Sequence, residues 1–286
     1  MENTLRLAIQ KSGRLSEDSL KLIKECGISF SQGIGKLKCE AFNFPLEFLF
    51  LRDDDIPQYV SSGIADIGIV GENVLLETGE EVKVIQQLGF SKCRLSLAVA
   101  NDFKFEDIRS LEGKNIATSY PVILQKYLDE KKIKAAIHVI SGSVEIAPSI
   151  GLAEAICDLV SSGSTLLSNG LREVEVVLKS EAVLIGHPQM NDNKQKTLSE
   201  LLFRIAAVQK AKDNKYILMN VPNDAIDTIS KILPVMKSPT IMPLTIKGWS
   251  SLHSVVKEDD FWRIISELKQ AGAEGILVIP IEKMIS

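Results

Sequence analysis

The sequence lacks several patterns that mark whole classes of protein. None of its four cysteines forms a C-x-x-C pair, which favours reduced thiols over a disulfide framework. No apolar run approaches 18 residues, and the stretch from Met1 to Arg6 has no apolar signal core. Membrane-spanning and exported proteins are therefore not expected, and the sequence predicts a cytoplasmic protein.

An excess of positive charge is also missing. The 33 lysines and arginines are outnumbered by 37 acidic residues, and the formal net charge is −4. Proteins that bind nucleic acid or membrane surfaces are normally basic, so neither partner is expected. The length of 286 residues, with 45% hydrophobic and 24% charged residues, predicts an ordinary folded protein with two or three domains.

Strand and helix patterns alternate through most of the chain, which predicts an α/β fold with a mostly parallel sheet. The first strand is expected at residues 5–9, and the next helix between Ser16 and Gly27. The last segment has the order βαββαβ, which is the ferredoxin-like arrangement. Its strands are expected at residues 216–221, 240–246, 252–256 and 275–281, and its helices at residues 224–233 and 259–271.

A loop rich in hydroxyl groups follows the strand expected at residues 155–160. It reads Ser161-Ser162-Gly163-Ser164-Thr165, and its backbone N–H and side-chain O–H groups suit a phosphate. Asp158, near the end of the strand, suits hydrogen bonds from sugar hydroxyls. An ordinary strand-to-loop transition has the same composition, so these residues alone leave both interpretations open.

Two further loops contain clustered charges. The basic loop Gln10-Lys11-Ser12-Gly13-Arg14 follows the first strand. Because parallel strands gather their loops at one edge of a sheet, Lys11 and Arg14 suit an anionic ligand; a solvated loop is the alternative. Three adjacent acids, Asp53 to Asp55, follow Arg52. Either a cation such as Arg52 or Mg²⁺ offsets their repulsion, or they serve only to cap a short helix.

Two glycines and one glutamate are further candidate site residues. Gly68 and Gly71 permit close approach of another backbone or of a ligand. Glu145 follows a second hydroxyl-rich turn at residues 141–143; it either contacts a sugar or base, or only favours a helix N-terminus. The three histidines lie outside these stretches and are predicted to be structural: His138, His187 and His253.

Eight short stretches, spread over nearly the whole chain, carry a resemblance to a known family. They are QKSGR (10–14), RDDDIP (52–57), DIGIVGEN (66–73), CRLSLA (93–98), ATSYP (117–121), GSVE (142–145), GLREVEV (170–176) and SPTIMPL (238–244). Through them the chain resembles the long-form ATP phosphoribosyltransferases, the first enzymes of histidine biosynthesis. The number and order of the stretches make the match specific.

The resemblance implies a Mg²⁺-dependent reaction. In it, N1 of the adenine of ATP attacks C1 of 5-phosphoribosyl 1-pyrophosphate (PRPP) and pyrophosphate leaves. By position, the implied PRPP-binding residues are Asp158, Ser161, Ser162, Gly163, Ser164 and Thr165. The implied ATP-binding residues are Lys11, Arg14, Arg52, Asp66, Arg94 and Tyr120, and the implied catalytic residues are Lys11, Arg14 and Glu145. Mg²⁺ would be held largely through substrate phosphates rather than by protein side chains alone.

The same resemblance implies a fold and a division into domains. It implies an α/β catalytic unit of two lobes, like the type II periplasmic binding proteins, and a C-terminal ferredoxin-like (ACT-like) regulatory domain. Residues 1–94 and 179–212 would form catalytic lobe I, residues 95–178 catalytic lobe II with the PRPP loop, and residues 213–286 the histidine-binding domain. Two lobes joined by two crossings enclose a cleft, which is a favoured position for a ligand site.

Histidine, as a feedback inhibitor, is the implied partner of the last domain, with Thr240 and Gly275 as the mapped contacts. The resemblance also implies assembly of the chain into dimers and a hexamer. A solute-binding or sensor protein of the same fold is an alternative, but it would not need the hydroxyl-rich loop after Asp158. A catalytically idle regulatory paralogue is a third possibility.

Overall fold

The computed structural model describes residues 4–31, 33, 35–233 and 238–285. Contacts between Cα atoms divide the chain into two compact units. The first comprises Met1–Lys21 and Ile28–Thr197, and the second comprises Leu22–Gly27 and Leu198–Ser286. The ends of the expected domains at residues 1–3 and 286, and residues 234–237 within the last domain, lie outside the described residues.

The described elements alternate between strands and helices. The strands are β1 (Leu5–Gln10), β2 (Lys38–Glu40), β3 (Leu46–Leu51), β4 (Ile67–Gly71), β5 (Lys83–Gln87), β6 (Cys93–Ala100), β7 (Asn115–Thr118), β8 (Ala136–Val139), β9 (Ala155–Val160), β10 (Leu171–Ser180), β11 (Ala182–Gly186), β12 (Asn214–Pro222), β13 (Thr240–Pro243), β14 (Trp249–Lys257) and β15 (Glu274–Pro280). The helices are α1 (Arg14–Glu25), α2 (Ile56–Ser61), α3 (Glu72–Thr78), α4 (Pro121–Lys131), α5 (Ser164–Ser168), α6 (Asp192–Lys212), α7 (Ile226–Ile232) and α8 (Glu258–Gln270).

Two sheets lie in the first unit, and the chain passes between them twice. One has the strand order β2-β3-β1-β4-β11-β5, and the other has the order β10-β6-β9-β7-β8. Strand β11 follows β10 in sequence but pairs with β4 and β5. The chain therefore builds the first sheet, then the second, and then returns to the first, and the predicted α/β class is confirmed.

The expectation of mostly parallel sheets is wrong. In the first sheet, β1 is parallel to β3 and β4, whereas β2, β11 and β5 pair antiparallel with their neighbours. In the second, β7 is parallel to β8 and β9, whereas β6 pairs antiparallel with β9 and β10. Alternation of strands and helices does not reveal the strands that enter or leave a sheet in the opposite direction.

The centre of the first sheet is buried because apolar residues occupy both of its faces. Leu7, Ala8 and Ile9 of β1 are all fully buried, as expected of a strand covered on two sides. Gly68 of β4 allows helix α2 to pack closely, since a Cβ atom there would lie 2.7 Å from Cγ2 of Ile56. The group that approaches Gly68 closely is therefore a side chain, rather than the backbone or ligand expected from the sequence.

Helix starts differ from the sequence expectation in three places. Helix α1 begins at Arg14 rather than near Ser16, because Gly13, with a φ of +96°, provides the carbonyl that accepts the N–H of Glu17. Asp55 precedes α2, but its side chain makes no capping hydrogen bond. After Ser143 the chain forms only a single 3₁₀ turn, Val144–Ile146.

The third sheet, in the second unit, has the strand order β13-β14-β12-β15 with antiparallel pairing throughout. Together with α7 and α8, this order confirms the ferredoxin-like arrangement. Its core joins Ile217 and Met219 of β12 to Phe261 and Leu268 of α8. In the part of the chain that is described, no helix is both long enough and apolar enough to span a bilayer.

Candidate functional site

A cavity of about 350 Å³ lies between the two sheets of the first unit, where β1, β4, β7 and β9 end. The carboxyl ends of strands are the edge at which α/β sheets bind ligands. The cavity is lined by Gln10, Gly13, Arg14, Leu15, Asp53, Gly71, Asn73, Val74, Ser91, Lys92, Cys93, Tyr120, Leu159, Ser161 and Ala182. Residues from both sheets therefore face one volume.

The hydroxyl-rich loop lies at the end of β9, on the second-sheet side of this cavity. Gly163 has a φ of +82°, a conformation that an L-residue rarely adopts. The hydroxyls of Ser162 and Ser164 lie 3.0 Å apart, and all of Ser161, Ser162 and Thr165 are exposed. A glycine turn thus exposes several hydroxyl groups next to Ser161, which lines the cavity.

The basic loop lies on the opposite side, at the end of β1. Nη1 of Arg14 donates to Oγ of Ser161 at 3.4 Å, so the two loops meet across the cavity. Lys11 is exposed at the same edge, and its backbone N–H donates to the carbonyl of Leu51. The basic loop and the hydroxyl-rich loop therefore face each other across one volume.

Asn73 links the two sheets behind the cavity. The hydroxyl of Ser180 donates to Oδ1 of Asn73 at 2.8 Å and accepts the Asn73 backbone N–H at 3.1 Å. Nδ2 of Asn73 donates to the hydroxyl of Tyr120 at 3.3 Å. A Cβ atom on Gly71 would lie 2.5 Å from Oδ1 of Asn73, so only glycine leaves room for this side chain.

Carboxylates from both sheets gather near Tyr120. Burial raises the pKa of Tyr120, and the charges of Asp158, Asp53 and Asp54 raise it further. Burial also raises the pKa of Asp158, opposed by the backbone N–H of Leu159 and reinforced by Glu145. These shifts show that Asp158 and Glu145 are electrostatic neighbours. A partly buried acid with a raised pKa in a cleft is a functional-site candidate.

In the run of acids after Arg52, neighbouring charges act on Asp54. Burial raises the pKa of Asp54, the charges of Asp53 and Asp55 add to the rise, and Arg52 opposes it. Arg52 itself is exposed and lies outside the cavity lining. Its charge acts on Asp54, whereas its expected contact with ATP has no geometric support in this cavity.

The acids suit a hard divalent cation. Asp53, Asp54 and Asp158 offer carboxylate oxygens, the ligands that Mg²⁺ prefers. Within the described ranges, no three His, Cys, Asp or Glu side chains converge as a metal-binding group. A Mg²⁺ ion held by one or two of these carboxylates would therefore take its remaining ligands from water and from an anionic ligand.

Asp66 does not lie at this site, and its expected role as an ATP contact is not supported. It precedes β4, roughly 16 Å along the strand from Gly71. Its Oδ2 accepts the backbone N–H of Arg6 at 2.8 Å, and its Oδ1 pairs with Nζ of Lys194 at 2.7 Å. The residue is only 6% exposed. A motif that spans a whole strand includes residues from both ends, and only one end borders the cavity.

The two expected effector residues also lie apart. Thr240 is on β13 and Gly275 is on β15, the opposite edges of the third sheet. Three strand spacings separate these edges, or about 14 Å. A ligand the size of an amino acid does not contact both residues within one chain, so the two do not form a single site there.

Three residues at or near the cavity were missed by the sequence interpretation. Asn73 was included in a motif but given no role, and Ser180 was not singled out. Glu173 lay within the GLREVEV stretch and was given no role, yet it accepts hydrogen bonds from both Arg94 and Ser96. No sequence signal reveals these links, because their partners are 77 to 107 residues away.

Comparison with known proteins identifies the family. Residues 52–207 match the model described as ATP phosphoribosyltransferase (HisG), and residues 211–283 match the HisG C-terminal domain. The chain belongs to the ATP phosphoribosyltransferase family. The prediction that it is an enzyme, a pentosyltransferase of histidine biosynthesis, is thereby confirmed, and the activity implies ATP and PRPP as substrates.

Two curated relatives in this family match nearly the whole chain, and a solved structure matches most of it. The ATP phosphoribosyltransferase of Cytophaga hutchinsonii is 66% identical over 285 residues, covering 100% of each chain. That of Bacteroides thetaiotaomicron is 57% identical, covering 98% of this chain and 99% of the relative. A solved ATP phosphoribosyltransferase, in a HisG:HisZ complex from Thermotoga maritima, is 28% identical with a TM-score of 0.61; the match covers 71% of this chain and 99% of that one.

The tight contact at Gly71 leads to a first prediction about this transferase. We expect Gly71→Ala to lower kcat/KM by ~10-fold, because a displaced Asn73 loses hydrogen bonds worth about 1 kcal/mol each. Steady-state kinetics of Gly71→Ala, Asn73→Ala and the double variant measure the coupling. If both act through Asn73, the double variant is no worse than Asn73→Ala. Additive losses would show that Gly71 acts independently of Asn73.

Proposed function

We propose that this cavity transfers the 5-phosphoribosyl group of PRPP to N1 of the adenine of ATP. The bond from C1 of the ribose to the pyrophosphate oxygen breaks, and its electron pair leaves with the pyrophosphate. The lone pair of N1 forms the new bond to C1. The observation that carries this proposal is the contact between the two loops, in which Arg14 of the basic loop donates to Ser161 of the hydroxyl-rich loop.

The 5-phosphate of PRPP is assigned to the hydroxyl-rich loop. A phosphate there accepts hydrogen bonds from the hydroxyls of Ser161, Ser162, Ser164 and Thr165, while Gly163 allows the backbone to approach it closely. Asp158, at the end of β9, accepts hydrogen bonds from the ribose hydroxyls. Hydrogen bonds to charged groups contribute roughly 1.5–3 kcal/mol each, which is enough to fix the sugar.

ATP is assigned to the basic side of the cavity. Arg14 and Tyr120 line that volume, and Lys11 is an exposed cation of the same loop as Arg14. Glu145, close to Asp158, is assigned to the ribose or base. Adenine N1 is already a nucleophile, so no activated serine, cysteine or histidine is required. Catalysis then comes from alignment of N1 with C1 and from stabilisation of the negative charge on the leaving group by Lys11 and Arg14.

Mg²⁺ is the proposed cofactor. When bound, it would neutralise charge on the pyrophosphate that leaves. Asp53, Asp54 and Asp158 are the carboxylates that fit it, since they lie near the same tyrosine. They also repel a polyanionic substrate that arrives without a cation. The acids therefore favour a magnesium–substrate complex over the free anion.

The direct test is release of pyrophosphate by the purified full-length chain. We expect release only when ATP, PRPP and Mg²⁺ are all present, and we expect EDTA in excess over Mg²⁺ to abolish it. A coupled enzymatic assay for pyrophosphate measures the rate. Release without ATP would indicate hydrolysis of PRPP, and no release under any condition would indicate a binding protein or an idle paralogue.

Histidine is the proposed feedback inhibitor, and a homo-oligomer, from dimer to hexamer, is the proposed assembly. Met242, Leu277 and Ile279 are apolar residues of the third sheet that are 43–54% exposed. They lie on the sheet face opposite α7 and α8, because their register alternates with the core residues Ile217 and Leu252. A second copy covering this face would bury them. It would also allow Thr240 and Gly275 from different chains to share one effector.

We expect L-histidine to inhibit turnover and Thr240→Val to raise the inhibitory concentration by ~10-fold, because the variant loses a hydroxyl but keeps its shape. Initial rates over a histidine titration measure this, with L-glutamine as the control ligand. Deletion of residues 213–286 is a poorer test, since residues 22–27 and 198–212 belong to the same compact unit. Equal inhibition of both proteins would exclude Thr240 from the effector site.

A further inference from the structure

We propose that Glu173 is a positioning residue that holds the hydroxyl-rich loop through Arg94. This inference rests on the proposed function, because it assigns the loop to PRPP. Sequence resemblance assigns Arg94 to ATP. The geometry points to a different role, in which the guanidinium orients the loop instead of attracting a substrate.

The side chain of Arg94 is held at three of its nitrogens. Nε and Nη2 donate to Oε1 and Oε2 of Glu173, each at 2.5 Å, and Nη1 donates to the carbonyl of Ser161 at 3.2 Å. The hydroxyl of Ser96 also donates to Oε1 of Glu173 at 2.8 Å. Because a guanidinium is planar, a two-pronged contact with Glu173 fixes the direction in which Nη1 points.

The hydrogen bonds of Glu173 and Arg94 hold the first residue of the hydroxyl-rich loop. Arg94 lies on β6 directly opposite Val160, the last residue of β9, and Ser161 comes next. Glu173 lies on β10, the other neighbour of β6, and the β10–β6 ladder is irregular between Glu173 and Glu175. Such an irregularity re-aims a side chain relative to a regular strand. Three adjacent strands thus fix the carbonyl that starts the loop.

The charge of Arg94 is already balanced. The hydrogen bond from Arg94 holds the pKa of Glu173 below its usual value, so the carboxylate is ionised at neutral pH. A neutralised ion pair attracts an anionic substrate weakly, but it still fixes direction. Arg14, which contacts Oγ of the same Ser161, remains the cation that faces the cavity from the other loop. Arg14 therefore attracts the anionic substrate, whereas Arg94 orients the hydroxyl-rich loop.

The first test needs no substrate. Hydrogen exchange of the ligand-free protein reports the order of the loop amides. We expect Glu173→Ala to speed exchange in peptides covering residues 161–165 by at least ~5-fold, because the loop loses a fixed anchor. The matched control is Glu175→Ala on the same strand, since Oε1 of Glu175 accepts the hydroxyl of Tyr127 on α4 at 2.9 Å. It should leave exchange in the loop unchanged.

The second test separates the two substrates. We expect Glu173→Ala to raise the KM for PRPP by ~10-fold and the KM for ATP by less than ~2-fold, as loss of one fixed hydrogen bond predicts. Arg94→Lys should behave like Glu173→Ala, because lysine keeps the charge but not the planar fork. If Arg94 acted by attracting ATP, Arg94→Lys would retain activity and Arg94→Ala would raise the KM for ATP.

The outcomes also separate this inference from the proposed function. If the wild-type protein is inactive, but loop exchange is faster in Glu173→Ala and not in Glu175→Ala, the proposed function is refuted and the anchoring role is supported. An active wild type with unchanged PRPP kinetics and loop exchange in Glu173→Ala would overturn the inference and leave the function intact. If Glu173→Ala does not fold, Ser96→Ala weakens the same network and should shift both measurements in the same direction by a smaller amount.

Discussion

Replacing Asp158 with alanine or asparagine should lower kcat/KM for PRPP by ~10–100-fold, because the sugar loses charge-assisted hydrogen bonds of roughly 1.5–3 kcal/mol. Thr165→Ala, which removes one hydroxyl from the loop, should weaken PRPP use over the same range. The protein should fold normally in each case, since Asp158 and Thr165 are not core residues. Initial rates at varied PRPP and saturating ATP measure the effect.

The stability of Asp158→Asn provides a second signature. Burial raises the pKa of Asp158 in the folded protein, so the folded state binds this proton more tightly than the unfolded state does. Above both pKa values the ionised group destabilises the fold, and Asp158→Asn should therefore raise Tm at neutral pH. The gain should shrink as the pH falls through the folded-state pKa. Loss of activity with a gain in stability marks a residue kept for function.

Unchanged PRPP kinetics in both Asp158→Ala and Thr165→Ala would exclude the proposed PRPP assignment. Glu145→Gln is the comparison variant, because Glu145 is the acid whose charge acts on Asp158. It is assigned to the nucleotide and should change ATP kinetics more than PRPP kinetics.

Replacing Gly163 with valine should lower kcat/KM for PRPP by at least ~100-fold. The φ of +82° at Gly163 costs an L-residue about 1–2 kcal/mol, and a β-branched residue more. The loop relieves this strain by changing its backbone, so the hydroxyls of Ser162 and Ser164 no longer face one phosphate. Steric crowding contributes little, since a Cβ atom there meets only Cγ1 of Val160 at 3.9 Å.

The matched control is Gly170→Val. Gly170 has a φ of +69° and an open surrounding, and it lies between α5 and β10, outside the hydroxyl-rich loop. Both variants carry similar backbone strain, so both should lose similar stability, while only Gly163→Val should lose PRPP use. Equal kinetic losses in the two variants would show that strain in the lobe, rather than the shape of the loop, limits the reaction.

The elements of the fold could largely be predicted from the sequence, but the strand directions could not. The first strand, expected at residues 5–9, was located correctly because a short apolar run followed by a polar loop is a strong local signal. The ferredoxin-like order of the last segment followed from alternating strand and helix patterns. Strand β11 pairs antiparallel with β4, more than 100 residues away, and a local pattern contains no information about such a partner.

The site could be predicted only in part, for a similar reason. Residues that follow strands, such as Arg14 and Ser161, were identified because their position at a strand end has a local signature. Asp66 was misplaced because it belongs to the same motif as Gly71 but lies at the other end of β4. Glu173 was missed because its function depends on Arg94, which a neighbouring strand brings beside it.

The most direct measurement of the central claim is the structure of the product formed from ATP and PRPP with Mg²⁺. The account predicts a single nucleotide that contains ATP and one phosphoribosyl group, with a bond between adenine N1 and ribose C1. Mass spectrometry establishes the composition, and heteronuclear NMR correlates the new anomeric proton with the carbons beside N1. Attachment at another atom, or recovery of ribose 5-phosphate and unchanged ATP, would contradict it.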